Sequence, residues 1–324
     1  MTPDAAAPAL AIIFPPAFVL IAAGIAIAFL RGALRDIVLL LAPLAALALV
    51  WLLPDGSHLS FEWLGMRIEP LRIDALSRLF AIVFCLMAFA GGLFALRQER
   101  WAELAAAYVY AGASLGAVFA GDLITLFFFW EVMALGSATI IWSAGGDKAR
   151  AAGFRYIAMH LFGGVLLMAG IAGHVGATGS IAFSAMQADS AAHWLILAGF
   201  LINAGAPPLS AWLPDAYPEA SWSGMVFLSA FTTKTAVYAL LRGFPGEDIL
   251  IWVGLFMIFY GIVYAILEND MRRILAYSIV NQVGFMVTGI GIGTTMALNG
   301  AAAHASSISS TRRCFSCRPA PSST

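Results

Sequence analysis

Two ionisable residues lie inside segments that are otherwise apolar. Glu131 follows Phe127-Phe128-Phe129-Trp130 and precedes Val132-Met133-Ala134-Leu135, while Lys234 follows Leu228-Ser229-Ala230-Phe231-Thr232-Thr233 and precedes Thr235-Ala236-Val237. A charge at the centre of an apolar membrane helix is unfavourable by about 2.5–3.5 kcal/mol on insertion scales, so each needs a structural partner or a functional reason. An acid and an amine on neighbouring helices suit proton transfer, because mutual attraction favours both ions while desolvation opposes both. The same two residues would also serve as a static ion pair between helices, and residue type alone leaves both readings open. The threonines around Lys234 supply hydroxyls able to solvate an ammonium inside a bundle.

Other candidates are less isolated. His160, in Arg155-Tyr156-Ile157-Ala158-Met159-His160, could relay protons as a neutral imidazole or hydrogen-bond another helix, and the following Gly163-Gly164 suits close helix packing. Asn203-Ala204-Gly205-Ala206-Pro207-Pro208 interrupts any continuous helix. Such an interruption either opens backbone to an ion path at membrane depth or marks the cytoplasmic end of a span. Asp215 and Glu219, in Trp212-Leu213-Pro214-Asp215-Ala216-Tyr217-Pro218-Glu219, follow this break. They would guide protons at a mouth, or act as helix caps and solvated loop charges.

The elements that must position these residues are spans. The chain has 324 residues, of which 61% are hydrophobic and 11% charged. That is less than half the charged fraction of an average soluble protein, about 25%. Apolar blocks of about 20 residues, the length that crosses a bilayer, alternate with short stretches holding nearly all the charges. They predict helices at Leu10–Leu30, Ile37–Leu53, Ala75–Leu96, Ala102–Ala120, Leu123–Ser143, Ala151–Gly173, Ala192–Pro207, Ser223–Arg242, Ile249–Leu267 and Ile274–Gly293. An eleventh begins near Met296 and then stops being apolar. The first block lacks a basic leader and is read as a retained helix. Pro54–Asp74, with alternating apolar and polar residues, is expected to form a small external hairpin.

Charge sets the orientation and excludes classes of partner. With the N-terminus outside, the inner loops hold Arg31, Arg35, Arg97, Arg100, Lys148, Arg150, Arg155, Arg272 and Arg273, against Arg67, Arg72, Arg78 and Arg242 outside. Cytoplasmic loops keep the positive excess, so an outside N-terminus is expected. A net charge of −1 gives no basic field for nucleic acid. Cys85 lies in an apolar block and Cys314 and Cys317 in a polar tail, which suits neither a disulfide framework nor a four-ligand zinc site. No flavin, iron or other metal site is expected in this chain.

Four segments in order resemble the proton-conducting antiporter-like membrane subunits, nearest to the D subunits of Mrp-type cation/proton antiporters and related to membrane-arm subunits of NADH-quinone oxidoreductases. They are Asp122-Leu-Ile-Thr-Leu-Phe-Phe-Phe-Trp-Glu131, Ala206–Ala220, Leu228-Ser-Ala-Phe-Thr-Thr-Lys234 and Leu267–Gly284. The resemblance covers about Asp74 to His304. It implies an all-α polytopic membrane protein with inverted five-helix repeats, a broken helix, and a line of charged residues along the membrane midplane, with Glu131 and Lys234 at the family's glutamate and lysine positions. It also implies a lysine just before the Gly/Pro stretch, where this chain has Asn203, an amide that cannot titrate near neutrality.

The resemblance further implies a continuation His-x-x-x-His-x-x-x-Lys after His304, the last of the candidate path residues. Here Ala303-His304-Ala305 leads instead into a serine-rich tail. Codons able to encode Ile308–Cys317 can, read in a neighbouring frame, spell His-Ile-Leu-Tyr-Lys-Ala-Leu-Leu-Phe-Met. Residues 1–305 are therefore expected to form the antiporter-like domain and residues 306–324 a frameshift tail, with the second repeat truncated.

The function implied is translocation of protons and of Na+ or K+ by a multi-pass subunit of a larger complex in the cell membrane. Alternatives are a proton-translocating membrane-arm subunit of an NADH-quinone oxidoreductase, whose redox chemistry would belong to partner subunits, and a non-conducting scaffold. A solute transporter would need a polar pocket beyond the charged line, and the sequence offers none.

Overall fold

The computed structural model describes residues 14–96 and 100–316, with side chains of the final helix described as far as Ser307. The start of the first expected span, Arg97, and the tail beyond Ser316 lie outside the described residues. The chain forms α1 (Pro16–Phe29), α2 (Ala33–Leu52), β1 (Gly56–Trp63), β2 (Met66–Ile73), α3 (Ala75–Phe94), α4 (Trp101–Phe119), α5 (Leu123–Ser143) and α6 (Gly146–Thr178). It continues with α7 (Ala191–Ala204), α8 (Trp212–Ala216), a 3-10 turn (Tyr217–Glu219), α9 (Trp222–Ala230), α10 (Thr232–Gly243), α11 (Ile249–Leu267), α12 (Met271–Ile292) and α13 (Thr295–Ser316). Among the described residues, eight helices are long and apolar enough to cross a membrane, with α9 and α10 taken together, and α1 and α7 are shorter apolar helices. This is an all-α polytopic membrane fold with one hairpin.

Helix starts are set by short polar side chains that satisfy free N–H groups where the chain leaves an apolar environment. Asp74 accepts from the Ser77 N–H and Ser77 Oγ accepts from the Asp74 N–H, a reciprocal capping box for α3. Asp122, Ser190, Ser221 and Asp270 cap α5, α7, α9 and α12. The expected hairpin is present as antiparallel β1–β2, closed by Leu64 and Gly65, both at positive φ.

The hairpin is tied to the loops beneath it by main-chain bonds. Gly121 N–H donates to Glu69 O at 2.8 Å, and Glu69 N–H donates to the Asp122 carboxylate at 2.8 Å. Leu123 N–H donates to Ile181 O, Phe183 N–H donates to Gly121 O, and Arg72 reaches Phe183 O. The hairpin therefore joins the α4–α5 and α6–α7 connections at one end of the bundle.

The core runs through α4, α9 and α10. In the span built from α9 and α10, 94% of residues in the best apolar window are buried, against 22% in α11, so the former is the centre and the latter the rim. Trp252, Phe256 and Ile266 of α11 project outward, as lipid-facing residues do.

Several expected boundaries change. The sixth helix starts at Gly146, earlier than Ala151, and runs to Thr178, where the left-handed conformation of Gly179 (φ 70°) ends it. The seventh stops at Ala204, before the prolines, because Gly205 takes the left-handed conformation (φ 79°) that terminates helices. The expected single helix Ser223–Arg242 is broken at Phe231 (φ −111°, ψ −60°), with no glycine or proline at the break. The eleventh helix does not end where its apolar pattern does: its backbone stays helical to Ser316.

Candidate functional site

Glu131 lies near the middle of α5, half-buried, on the side facing α6. A Cβ added at Gly164 would overlap its Oε1, so the glycine makes room for the carboxylate. Oε1 is buried without a hydrogen-bond partner, and Glu131 makes no ion pair among the described residues. A static bridge to Lys234 is therefore not what holds it.

Gly164 belongs to a row. Tyr156, His160 and Gly164 are four residues apart and share one face of α6. At about 1.5 Å per residue they span about 12 Å along the helix. His160 is buried, its ring 4.1 Å from that of Tyr156 and 4.7 Å, edge to face, from Trp212 of α8. The amide of Asn203, buried on α7, lies beside the imidazole. Among the described residues, neither ring nitrogen of His160 nor either amide atom of Asn203 makes a hydrogen bond of normal geometry. At the near end of the row, the Tyr156 hydroxyl donates to Ser137 Oγ at 2.9 Å, with Thr232 of α10 against it.

Lys234 enters the interior at the helix break. Its ammonium, buried, donates to Ser229 O at 2.7 Å and to Thr233 Oγ1 at 3.4 Å. Ser229 is among the last four residues of α9, whose carbonyls have no helical donor. A cation is favoured there by the negative end of the helix dipole. The threonines flanking Lys234 divide this work: Thr233 solvates the ammonium, Thr232 joins the tyrosine hydroxyls, and Thr235 Oγ1 is buried without a partner.

The remaining candidates are dispersed. Asp215 receives two parallel bonds from Arg155, Nε to Oδ2 at 2.7 Å and Nη2 to Oδ1 at 2.8 Å, which fasten α8 to α6. Glu219, half-buried at the end of the 3-10 turn, faces the guanidinium groups of Arg155 and Arg272. His304 Nε2 pairs with Gln282 Oε1 at 2.9 Å, linking α13 to α12. The structure thus gathers Glu131, His160 and Asn203 along α6, while Lys234 sits at the break between α9 and α10, two residues from the Thr232 that meets Tyr156. Sequence reasoning missed Tyr156 and Tyr110 of α4, two tyrosines among many in the chain, and assigned Gly164 only to packing.

Comparison with known proteins identifies the family and the fold. The family model described as NADH:quinone oxidoreductase/Mrp antiporter, transmembrane, matches residues 120–312. The chain is 33% identical over 217 residues to the M subunit of the NADH-quinone oxidoreductase of Pseudomonas aeruginosa, covering 58% of this chain and 43% of that protein. It is 31% identical over 270 residues to the D subunit of the Na(+)/H(+) antiporter of Alkalihalophilus pseudofirmus, covering 74% and 54%. It thus spans about half the length of the curated relatives it matches. A chain of the Mrp complex from Dietzia sp. DQ12-45-1b superposes with a TM-score of 0.76 at 25% identity, covering 91% of this chain and 61% of that one. A chain of respiratory complex I from Thermus thermophilus shares the fold, with a TM-score of 0.73 at 20% identity and coverages of 91% and 70%. On its family match, its broken seventh span and its arrangement of helices, the chain belongs to the transmembrane family shared by NADH:quinone oxidoreductases and Mrp antiporters.

Proposed function

We propose that this chain translocates protons against a monovalent cation, Na+ or K+, as one membrane subunit of a multisubunit antiporter. The observation that carries the reading is the row on α6: a carboxylate with an unpaired buried oxygen, an imidazole and an amide with unsatisfied polar atoms lie along one helix face. An unsatisfied buried polar group costs about 1–3 kcal/mol. Such groups are retained where water or a moving proton meets them. Glu131 and Lys234 are assigned as the proton-carrying groups, with His160 as the titratable group beside Asn203. Asp215 is assigned to anchoring, Glu219 to the mouth near Arg155 and Arg272, and His304 to the continuation of the line on α13.

The complex lies in the cell membrane with the hairpin outside, an orientation supported by the arginine and lysine distribution between alternate loops. Glu131→Gln tests the function. Loss of pH-gradient-driven cation exchange in membrane vesicles, with the protein still assembled, supports conduction; unchanged exchange assigns the chain a scaffold role. The similarity to the M subunit favours a second reading, a membrane-arm component of a quinone-reducing complex. Copurified partners separate the two, since that reading requires flavin and iron–sulfur subunits.

A further inference from the structure

The break at Phe231 has a local cause on another helix. In an unbroken helix the Thr232 N–H would bond to the Leu228 carbonyl. Here the Tyr110 hydroxyl of α4 stands between them: it accepts from Thr232 N–H at 2.8 Å and lies 3.4 Å from Leu228 O and 2.6 Å from Thr232 Oγ1. A polar side chain inserted into the ladder is a recognised cause of a helix break. The ladder resumes with Thr235 N–H bonded to Phe231 O at 2.8 Å. Tyr110 is fixed in place from two sides. Its ring meets Phe231 edge to face at 5.3 Å, and behind it Gly136 of α5 packs so closely that an added Cβ would lie 3.0 Å from Tyr110 Cβ.

The break also determines what Lys234 can reach. Ending α9 at Ala230 leaves the Ser229 carbonyl without its helical donor, and the Lys234 ammonium takes it at 2.7 Å. The side chain runs back toward the N-terminal end of its own helix, the direction helical side chains favour. Removing the inserted hydroxyl would let Thr232 N–H close on Leu228 O, let Thr233 N–H claim Ser229 O, and evict the ammonium.

We propose that Tyr110 is the positioning residue for Lys234: its inserted hydroxyl holds the helix open at Phe231 and thereby gives the ammonium the Ser229 carbonyl. The functional part of this proposal rests on the reading that Lys234 lies on the ion path. The test is Tyr110→Phe, which keeps the ring and removes only the hydroxyl, in the full chain with its copurifying subunits. A structure of the variant should show one helix from Trp222 to Gly243 with Lys234 Nζ away from Ser229 O. The pH midpoint of cation exchange should move by about half a unit or more, a threefold change in proton concentration. A helix still broken at Phe231, with Nζ within about 3.5 Å of Ser229 O, overturns the proposal. So does a closed helix with an exchange profile that superimposes on wild type. If wild type itself exchanges no cations, the ion-path reading falls, and the variant's structure alone decides whether Tyr110 positions Lys234. Should Y110F fail to accumulate, Tyr110→Met or Tyr110→Leu, which also lack the hydroxyl, must produce the same two changes.

Discussion

Gly164 on α6 and Glu131 on α5 are so close that a single methyl added to the glycine would take the place of the Glu131 carboxylate oxygen. The side chain at position 164 therefore decides where the carboxylate sits.

Gly164→Ala is expected to destabilise the protein by about 1–3 kcal/mol, as overpacking of a tight interior does. It should also reduce cation exchange by moving the carboxylate. Shortening the acid relieves the clash, so G164A combined with Glu131→Ala should be less destabilising than the sum of the two. Thermal unfolding of the two single variants and the double variant measures this coupling; strict additivity would mean that the two residues do not meet.

Asn203→Leu separates packing from passage. The amide is buried, and neither of its polar atoms makes a hydrogen bond of normal geometry among the described residues. An apolar side chain of similar size removes a desolvation penalty of about 1–3 kcal/mol and should leave the fold as stable or more so. Exchange should nonetheless fall about tenfold, the equivalent of a barrier raised by about 1.4 kcal/mol. Unchanged exchange in N203L would remove this position from the path.

Asp215→Asn tests a strut. The Arg155–Asp215 pair is partly exposed on both sides, and such pairs are worth about 0–1 kcal/mol. The substitution should shift stability by no more than that and leave the pH profile of exchange in place. A displaced profile would return Asp215 to the ion path.

Asp74 predicts an acid limb in stability. Burial raises its pKa, but the Ser77 N–H and the Arg242 guanidinium outweigh this and hold the carboxyl below its ordinary value. A group depressed in the folded state stabilises fully above its unfolded value, near about pH 4, and loses that contribution as pH falls through the folded value. Wild type should therefore melt at a falling temperature below about pH 4, while Asp74→Asn should be less stable at neutral pH and lack this part of the acid loss. Melting curves of both proteins across that range, in detergent, check the sign.

Much of this was legible in the sequence because hydropathy, caps and forbidden charges are local signals. Each of the ten apolar blocks finds its helix or broken pair, and Gly205 with Pro207 and Pro208 marks a true interruption. Glu131 and Lys234 stand out because nothing around them is charged. The break at Phe231 was illegible for a physical reason: its cause, the Tyr110 hydroxyl, lies 122 residues from the amide that it captures. No pattern in Val226–Thr235 encodes it. The sequence leaves Asp215 open between path and anchor, because Arg155, which holds both its oxygens, lies 60 residues earlier. Gly164 reads as a packing glycine from sequence, since only the fold shows that a carboxylate fills the space it leaves.

The main-chain bonds among the hairpin, residues 121–123 and residues 181–183 have a mechanical consequence. They rivet together the ends of α4, α5 and α6 at that face, so sliding α5 past α6 there would tear several bonds at once. At the opposite face the ties are made by side chains: Ser221 and Ser223 donate to Glu103 of α4, and α8 is held to α6 by the Arg155–Asp215 pair and by Trp212 against Tyr156 and His160. One end is thus fastened backbone to backbone and the other by side chains, which can change rotamer without breaking a main-chain ladder. The breaks after Ala204 and at Phe231 interrupt the helical ladder between those two ends, and both lie beside the buried polar row.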